Sequence, residues 1–134
     1  IDKYFDYRAG RLEYRSLRFD TKVIDTPNFQ GNAVVNYTSA DVPYTRIIEH
    51  KHFEYGTQPK TVITYEYPAT WSEGLEPYYP VNNERNNAIA AEYRQMARSM
   101  GNVIFGGRLG QYAYFDMDDT VDEALKLAEK EMGN

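Results

Sequence analysis

Short runs in which apolar and polar side chains alternate fill the chain from residue 12 to residue 67, and a different rhythm takes over beyond residue 82. Leu12-Glu13-Tyr14-Arg15-Ser16-Leu17-Arg18-Phe19, Ala33-Val34-Val35-Asn36-Tyr37, the stretch from Thr45 to Phe53 and the stretch from Thr61 to Tyr67 read as strands. β-Branched and aromatic residues are enriched in each of them, as strands favour. The opening Asp2-Lys3-Tyr4-Phe5-Asp6-Tyr7 is strand-like too. Turn-formers separate these runs: Ala9-Gly10, Asp25-Thr26-Pro27-Asn28, Gly31-Asn32, Asp41-Val42-Pro43 and Gly56-Thr57-Gln58-Pro59. Connections this short predict antiparallel pairing, because a parallel crossover needs about a dozen residues or more.

From Asn82 the apolar positions recur as on one face of a helix, at Ile89, Tyr93, Met96 and Met100. Asn82 or Asn83 caps this helix, and Gly101 stands where a left-handed C-terminal residue is wanted. A short strand over Asn102-Val103-Ile104-Phe105 then leads into Gly106-Gly107-Arg108-Leu109-Gly110. The last helix is expected to open at Thr120, with Glu123 completing a capping box and Val121, Leu125, Ala128 and Met132 forming its stripe. The order predicts an α+β fold. An antiparallel sheet lobe (1–80) is followed by helix, strand, glycine turn and helix (81–134), within one compact unit.

Length and composition narrow the functions. At 134 residues and 15.6 kDa the chain has room for one domain. Fifteen basic against twenty acidic residues, with a sequence pI near 5.0, argue against a nucleic-acid or anionic-membrane partner. No run approaches a membrane span and no signal-like opening is present, so no membrane insertion and a cytoplasmic location are expected. The absence of cysteine removes disulfides and thiolate metal sites and fits a reducing compartment. Thirteen tyrosines among twenty aromatics suit half-buried sheet faces and pockets for polar ligands. The first residue, Ile1, suggests a processed product or a piece of a longer protein.

Several constellations can carry chemistry. On a strand, His50 and His52 would share a face with Arg46 and Ile48. Two imidazoles can share a metal, but no third ligand is clearly placed and the arginine repels a cation, so no metal site is assigned. Arg46 beside tyrosines can hold a diphosphate through two parallel hydrogen bonds; the alternative is an ion pair with Glu49, Glu54 or Glu66. The loop from Trp71 to Pro80 offers aromatic faces and hydroxyls to a sugar or base, or else packs on the sheet. Gly106-Gly107-x-x-Gly110 lacks the leading Gly-x of the dinucleotide fingerprint; its bare amides beside Arg108 offer an anion cradle, or else it is an ordinary glycine turn. Glu66 and Asp116 could form an acid–base pair; equally, Asp116, Asp118 and Asp119 are favourable negative charge at a helix start.

The three stretches Leu12–Phe19, Gln30–Tyr37 and Pro43–Phe53 closely resemble bacterial UDP-galactopyranose mutase. So do Glu76-Pro77-Tyr78-Tyr79-Pro80 and Phe105-Gly106-Gly107-Arg108-Leu109-Gly110-x-Tyr112-x-Tyr114-Phe115-Asp116-Met117. The resemblance covers essentially the whole chain and only the C-terminal third of the family's enzyme. It implies a flavoenzyme, an isomerase that interconverts UDP-galactopyranose and UDP-galactofuranose for cell-surface galactofuranose glycans. In the family the N5 atom of reduced FAD attacks the anomeric carbon and displaces UDP, and the flavin–sugar adduct opens, recloses and is recaptured by UDP. No side chain of this segment is then the catalyst.

By the same resemblance Arg46, Tyr79 and Tyr114 bind the diphosphate, forming an arginine–tyrosine wall. Glu66 and Asp116 lie close to the sugar and flavin, and Asn36 and Arg15 flank the substrate. Gly107, Arg108, Leu109 and Met117 line the FAD, so that residues 81–134 complete an FAD-binding α/β domain. The N-terminal part of the enzyme, with the full dinucleotide fingerprint and the mobile lid, is the missing partner; a homodimer is also admitted. Alone, the segment is expected to bind FAD weakly or not at all and to be inactive. The alternatives are a non-catalytic nucleotide-sugar or carbohydrate-binding module, or a structural piece whose bared apolar faces favour self-association.

Overall fold

The structure, a computed structural model, describes residues 1–133. It is α+β, with an antiparallel sheet and three helices. The strands are β1 (Tyr14–Ile24), β2 (Val34–Asn36), β3 (Arg46–Glu49), β4 (Thr61–Thr70) and β5 (Tyr79–Pro80); the helices are α1 (Glu84–Arg98), α2 (Gly107–Gln111) and α3 (Met117–Glu131). By contacts the chain forms two compact units. Unit one takes Ile1–Arg15 and Trp71–Asn134, and unit two takes Ser16–Thr70. The boundary expected between residues 80 and 81 concerns roles in a longer parent.

Unit two holds the strand order β2-β3-β4-β1. β2 pairs antiparallel with β3 through Val34↔Ile48, Val35↔Ile47 and Asn36↔Arg46, and β3 with β4 through Arg46↔Glu66, Ile47↔Tyr65, Ile48↔Thr64 and Glu49↔Ile63. The short connections therefore produce the pairing they predict. The interior of this unit is thin: Ile47 and Ile63 are its buried apolar side chains among the described residues, accompanied by Ser16, Glu49, Lys51, Thr61, Thr64 and Glu66. These polar groups are tolerated because they find partners. Lys51 is an example, its Nζ donating to the carbonyls of Pro27 (2.7 Å) and Gln58 (2.6 Å).

The core of unit one is Leu12, Ala90, Tyr93 and Tyr112, with Phe5, Ile89 and Met96 packed against it. Tyr93 is fully buried, and its hydroxyl donates to Gly10 O (2.7 Å) while accepting from Ala9 N (3.1 Å). The Tyr112 hydroxyl donates to Glu13 O (2.6 Å) and accepts from Val81 N (3.1 Å). Burial pushes both phenols above the ordinary tyrosine value. β1 begins in this unit, where Tyr14 pairs with Pro80 and Arg15 with Tyr79 on β5. α1 opens as expected, with the Asn83 side chain accepting from Asn86 N. No helix among the described residues is long and apolar enough to cross a membrane.

Six local expectations are corrected. Residues 2–5 form a 3₁₀ turn rather than a strand, because the Asp2 carboxylate accepts from Leu12 N (3.0 Å) and Tyr14 OH (3.3 Å) and folds the segment back. The third strand stops at Glu49, and His50–Phe53 is a 3₁₀ turn. Gly101 is not left-handed; α1 instead runs out through right-handed turns, Ser99 N to Met96 O and Met100 N to Ala97 O. Residues 102–105 are irregular, since a strand needs a neighbour and these residues have none among those described; Phe105 stacks on Phe5 instead (5.6 Å). The glycine turn after it is the short helix α2, and Gly110 lets it press on residue 105, where a Cβ would meet Phe105 C at 3.3 Å. Finally, α3 starts a turn before Thr120, because Asp116 and Asp119 make the capping box there.

Candidate functional site

The residues expected to touch a ligand fall into two groups, one in each unit. In unit two the pairing puts Asn36, Arg46 and Glu66 in one row across β2, β3 and β4. Arg46 Nε lies 3.0 Å from Glu66 Oε1, so of the three acids weighed for this arginine, Glu66 is its partner. The Thr45 hydroxyl donates to the same carboxylate oxygen (2.9 Å). Glu66 is nearly buried, whereas the Arg46 side chain remains 37% exposed. Its two terminal nitrogens make no hydrogen bond among the described residues. A buried carboxylate thus aims the inner nitrogen, leaving the outer edge of the guanidinium for an anion with two oxygens. Asn36 flanks it as an exposed residue of the edge strand.

The histidines do not join this group. His50 Nε2 is 2.8 Å from Thr64 Oγ1, and His52 Nε2 is 3.1 Å from Glu49 Oε2. Held by separate partners on a 3₁₀ turn, they lack the shared strand face the spacing predicts. Among the described residues no group of three metal-binding side chains converges.

In unit one the rings of Tyr79 and Tyr114 stack, centroids 5.8 Å apart and planes 21° off parallel. The Arg108 guanidinium lies 5.0 Å from the first ring centre and 5.2 Å from the second. It is tethered by bonds to two carbonyls, Tyr78 O (3.4 Å) and Phe115 O. Arg108, expected to line the cofactor, therefore stands beside Tyr79 and Tyr114, a placement no spacing in the sequence signals. Arg15 lies opposite Tyr79 in the β1–β5 ladder, and its carbonyl accepts from Tyr78 N (3.0 Å). Tyr114 is 56% exposed and Tyr79 half-buried. The rest of the aromatic loop is architectural at Trp71, which meets Tyr14 edge-on and donates to Leu75 O (2.7 Å).

Asp116 is exposed and serves as the α3 cap. Leu109 is half-buried in α2, and Met117 is 87% exposed at the start of α3. Gly107 has φ +72° and nothing within 4 Å of where a Cβ would stand. Gly107 offers a bare α-carbon, Leu109 a half-buried side chain and Met117 an exposed thioether. These groups fit the edge of a flat ring such as an isoalloxazine and do not enclose it. A separate groove of about 990 Å³ in unit one is lined by Ile1, Ala97, Met100, Phe105 and Leu127 among others, and by none of the residues assigned to substrate or cofactor.

A further polar centre, at Glu49, is one that no motif in the sequence marks. Glu49 is fully buried, and although burial raises its pKa, the amides of Gln30 and Phe29, the Thr61 hydroxyl and His52 together hold it down at about 2. Its signal is an acid sharing the inward phase of β3 with Ile47.

Residues 1–114 match the family model described as UDP-galactopyranose mutase. The probable UDP-galactopyranose mutase of Klebsiella pneumoniae is 44% identical over 131 residues, 97% of this chain and 34% of that protein. The dTDP-fucopyranose mutase of Escherichia coli is 38% identical over 130 residues, 96% of this chain and 34% of its own length. The UDP-galactopyranose mutase of Mycoplasma pneumoniae is 37% identical over 136 residues, again 97% and 34%. The chain spans about a third of the length of the curated relatives it matches.

Proposed function

The chain belongs to the UDP-galactopyranose mutase family, and from that premise we propose that it is the C-terminal segment of a flavin-dependent isomerase interconverting UDP-galactopyranose and UDP-galactofuranose. The observation that carries the reading is Arg46, its inner nitrogen held by Glu66 and its outer edge open. In the parent protein that edge takes two oxygens of the diphosphate. As the bond from the anomeric carbon to the phosphate oxygen breaks, negative charge grows on the departing UDP, and a fixed cation stabilises it without reorganising. Family likeness supports a diphosphate-binding part for the hydroxyls of Tyr79 and Tyr114, and Arg108 keeps their rings together.

Asn36 and Arg15 flank the nucleotide sugar, with Glu66 and Asp116 near the galactose. Gly107, Arg108, Leu109 and Met117 lie along the cofactor, and residues 81–134 thereby close the flavin-binding domain of the parent. Reduced FAD, when bound, supplies the nucleophile for the anomeric carbon, a part for which this chain has no side chain. Because Met117 is exposed and nothing stands within 4 Å of where a Cβ of Gly107 would lie, the chain alone holds FAD weakly and turns nothing over. A stoichiometric yellow flavin on the purified 134-residue protein would overturn that part.

The test is Arg46→Ala in the full-length protein, assayed with reduced FAD. Turnover of UDP-galactopyranose should fall more than about tenfold in kcat/KM, since a charge-assisted contact is worth about 1.5–3 kcal/mol. Wild-type kinetics would remove Arg46 from the site. Running dTDP-fucopyranose beside it decides the nucleotide and sugar, because a relative of similar identity carries that name.

A further inference from the structure

The connection between β1 and β2 is built on one carboxylate. Glu49 Oε1 accepts from Phe29 N (3.0 Å) and Thr61 Oγ1 (2.7 Å), and Oε2 accepts from Gln30 N (2.8 Å) and faces His52 Nε2 at 3.1 Å. A charge without exposure is tolerable only when its lone pairs are filled, and filled networks hold rigid whatever they touch. This one touches three segments: β3, which bears it; the head of β4 at Thr61; and the loop at Phe29 and Gln30. The loop is tied further, with Gln30 Nε2 donating to Ile47 O (3.1 Å) and Asn32 O (2.9 Å). The backbone amide of Glu49 donates to Ala33 O (2.8 Å), at the threshold of β2.

β2 is three residues long and lies at the sheet edge, paired with β3 alone. So short an edge strand takes its position from its two ends. The far end is held by Tyr37 N bonding Thr45 O (2.9 Å), and the near end by the Glu49 centre. Asn36 lies between them, opposite Arg46. The Glu49 side chain lies in the sheet phase of Ile47, Arg46 in the other, so the carboxylate acts on the substrate row only through the backbone of β2.

We propose that Glu49 is a positioning residue for the nucleotide-sugar site, fixing β2 through the 29–33 loop so that Asn36 stays in register beside Arg46. The role in turnover rests on the function proposed above; the clamp itself does not. Glu49→Gln replaces one acceptor oxygen by an NH₂ that faces donors. In the 134-residue chain it should speed hydrogen exchange at the Tyr37 amide, remote from the substitution, at least tenfold. Unchanged exchange there overturns the clamp.

In the full-length protein, Glu49→Gln should raise KM for UDP-galactopyranose about tenfold with kcat within about twofold, and Asn36→Ala should do the same. The double variant should be no worse than the weaker-binding single, because both act through one strand. Effects that multiply would overturn the link to Asn36. If Glu49→Gln fails to fold, Thr61→Val removes one donor only and runs through the same cycle with a smaller shift. A wild-type parent that does not turn over UDP-galactopyranose would reject the functional reading, while the exchange result still decides for or against the clamp.

Discussion

Replacing Tyr93 by phenylalanine keeps the ring and deletes one oxygen. That oxygen joins the first ten residues to α1 by two bonds, donated to Gly10 O at 2.7 Å and accepted from Ala9 N at 3.1 Å. Each such bond contributes about 0.5–1.5 kcal/mol net, and a partner left dry costs more. The ring is fully buried, but Ala9 and Gly10 are only half-buried, so water can reach part of what is abandoned. The loss is therefore expected near about 2 kcal/mol rather than the larger sum of two stranded groups. With a urea slope of about 1–3 kcal/mol/M for a small protein, the midpoint should fall by about 1 M at unchanged slope. Limited proteolysis should cut sooner within residues 1–11. A variant within about 0.5 kcal/mol of wild type, the scatter of ordinary surface substitutions, would refute the assignment of Tyr93 as the fastening of that segment.

Leu12→Ala opens a void against Ala90, Tyr93 and Tyr112 and should cost about 2–5 kcal/mol in the same urea experiment; a shift under 1 kcal/mol would mean the core is elsewhere. Glu49, lowered in the folded chain to about 2 from 4.5, stabilises the fold fully above pH 4.5, and that contribution is lost as pH falls toward 2. Glu49→Gln should accordingly flatten the acid limb of stability between those values, and parallel acid profiles would contradict it. Tyr114→Phe, at an exposed ring, should leave the urea midpoint within about 0.5 kcal/mol yet lower kcat/KM of the full-length protein several-fold, whereas equal kinetics would clear the hydroxyl of any part in binding.

Where structure is local, the chain could be read directly. The alternation of Thr61 to Tyr67 is β4, and the stripe of Ile89, Tyr93 and Met96 is α1 with Asn83 as its cap. Reading failed where the outcome depends on distant residues. Val103 and Ile104 have strand character, but a strand is a property of a pair, and no neighbour is present among the described residues. His50 follows a β-branched run yet turns away, because Thr64 on another strand takes its ring nitrogen. The row of Asn36, Arg46 and Glu66 is a matter of register, which single-chain periodicity does not contain. Family likeness brought those three to notice; pairing explains why they are neighbours. Arg108 and Glu49 show the same limit, each meaningful only through carbonyls or amides far along the chain.

Unit one is assembled from two stretches of chain separated by all of unit two. Leu12 cannot find Tyr93 or Tyr112 until the whole intervening stretch has been synthesised. Unit two, being continuous, is free to order first and shorten the effective ring that remains to be closed, easing an entropy penalty that grows with loop length. Maturation from the middle outward follows.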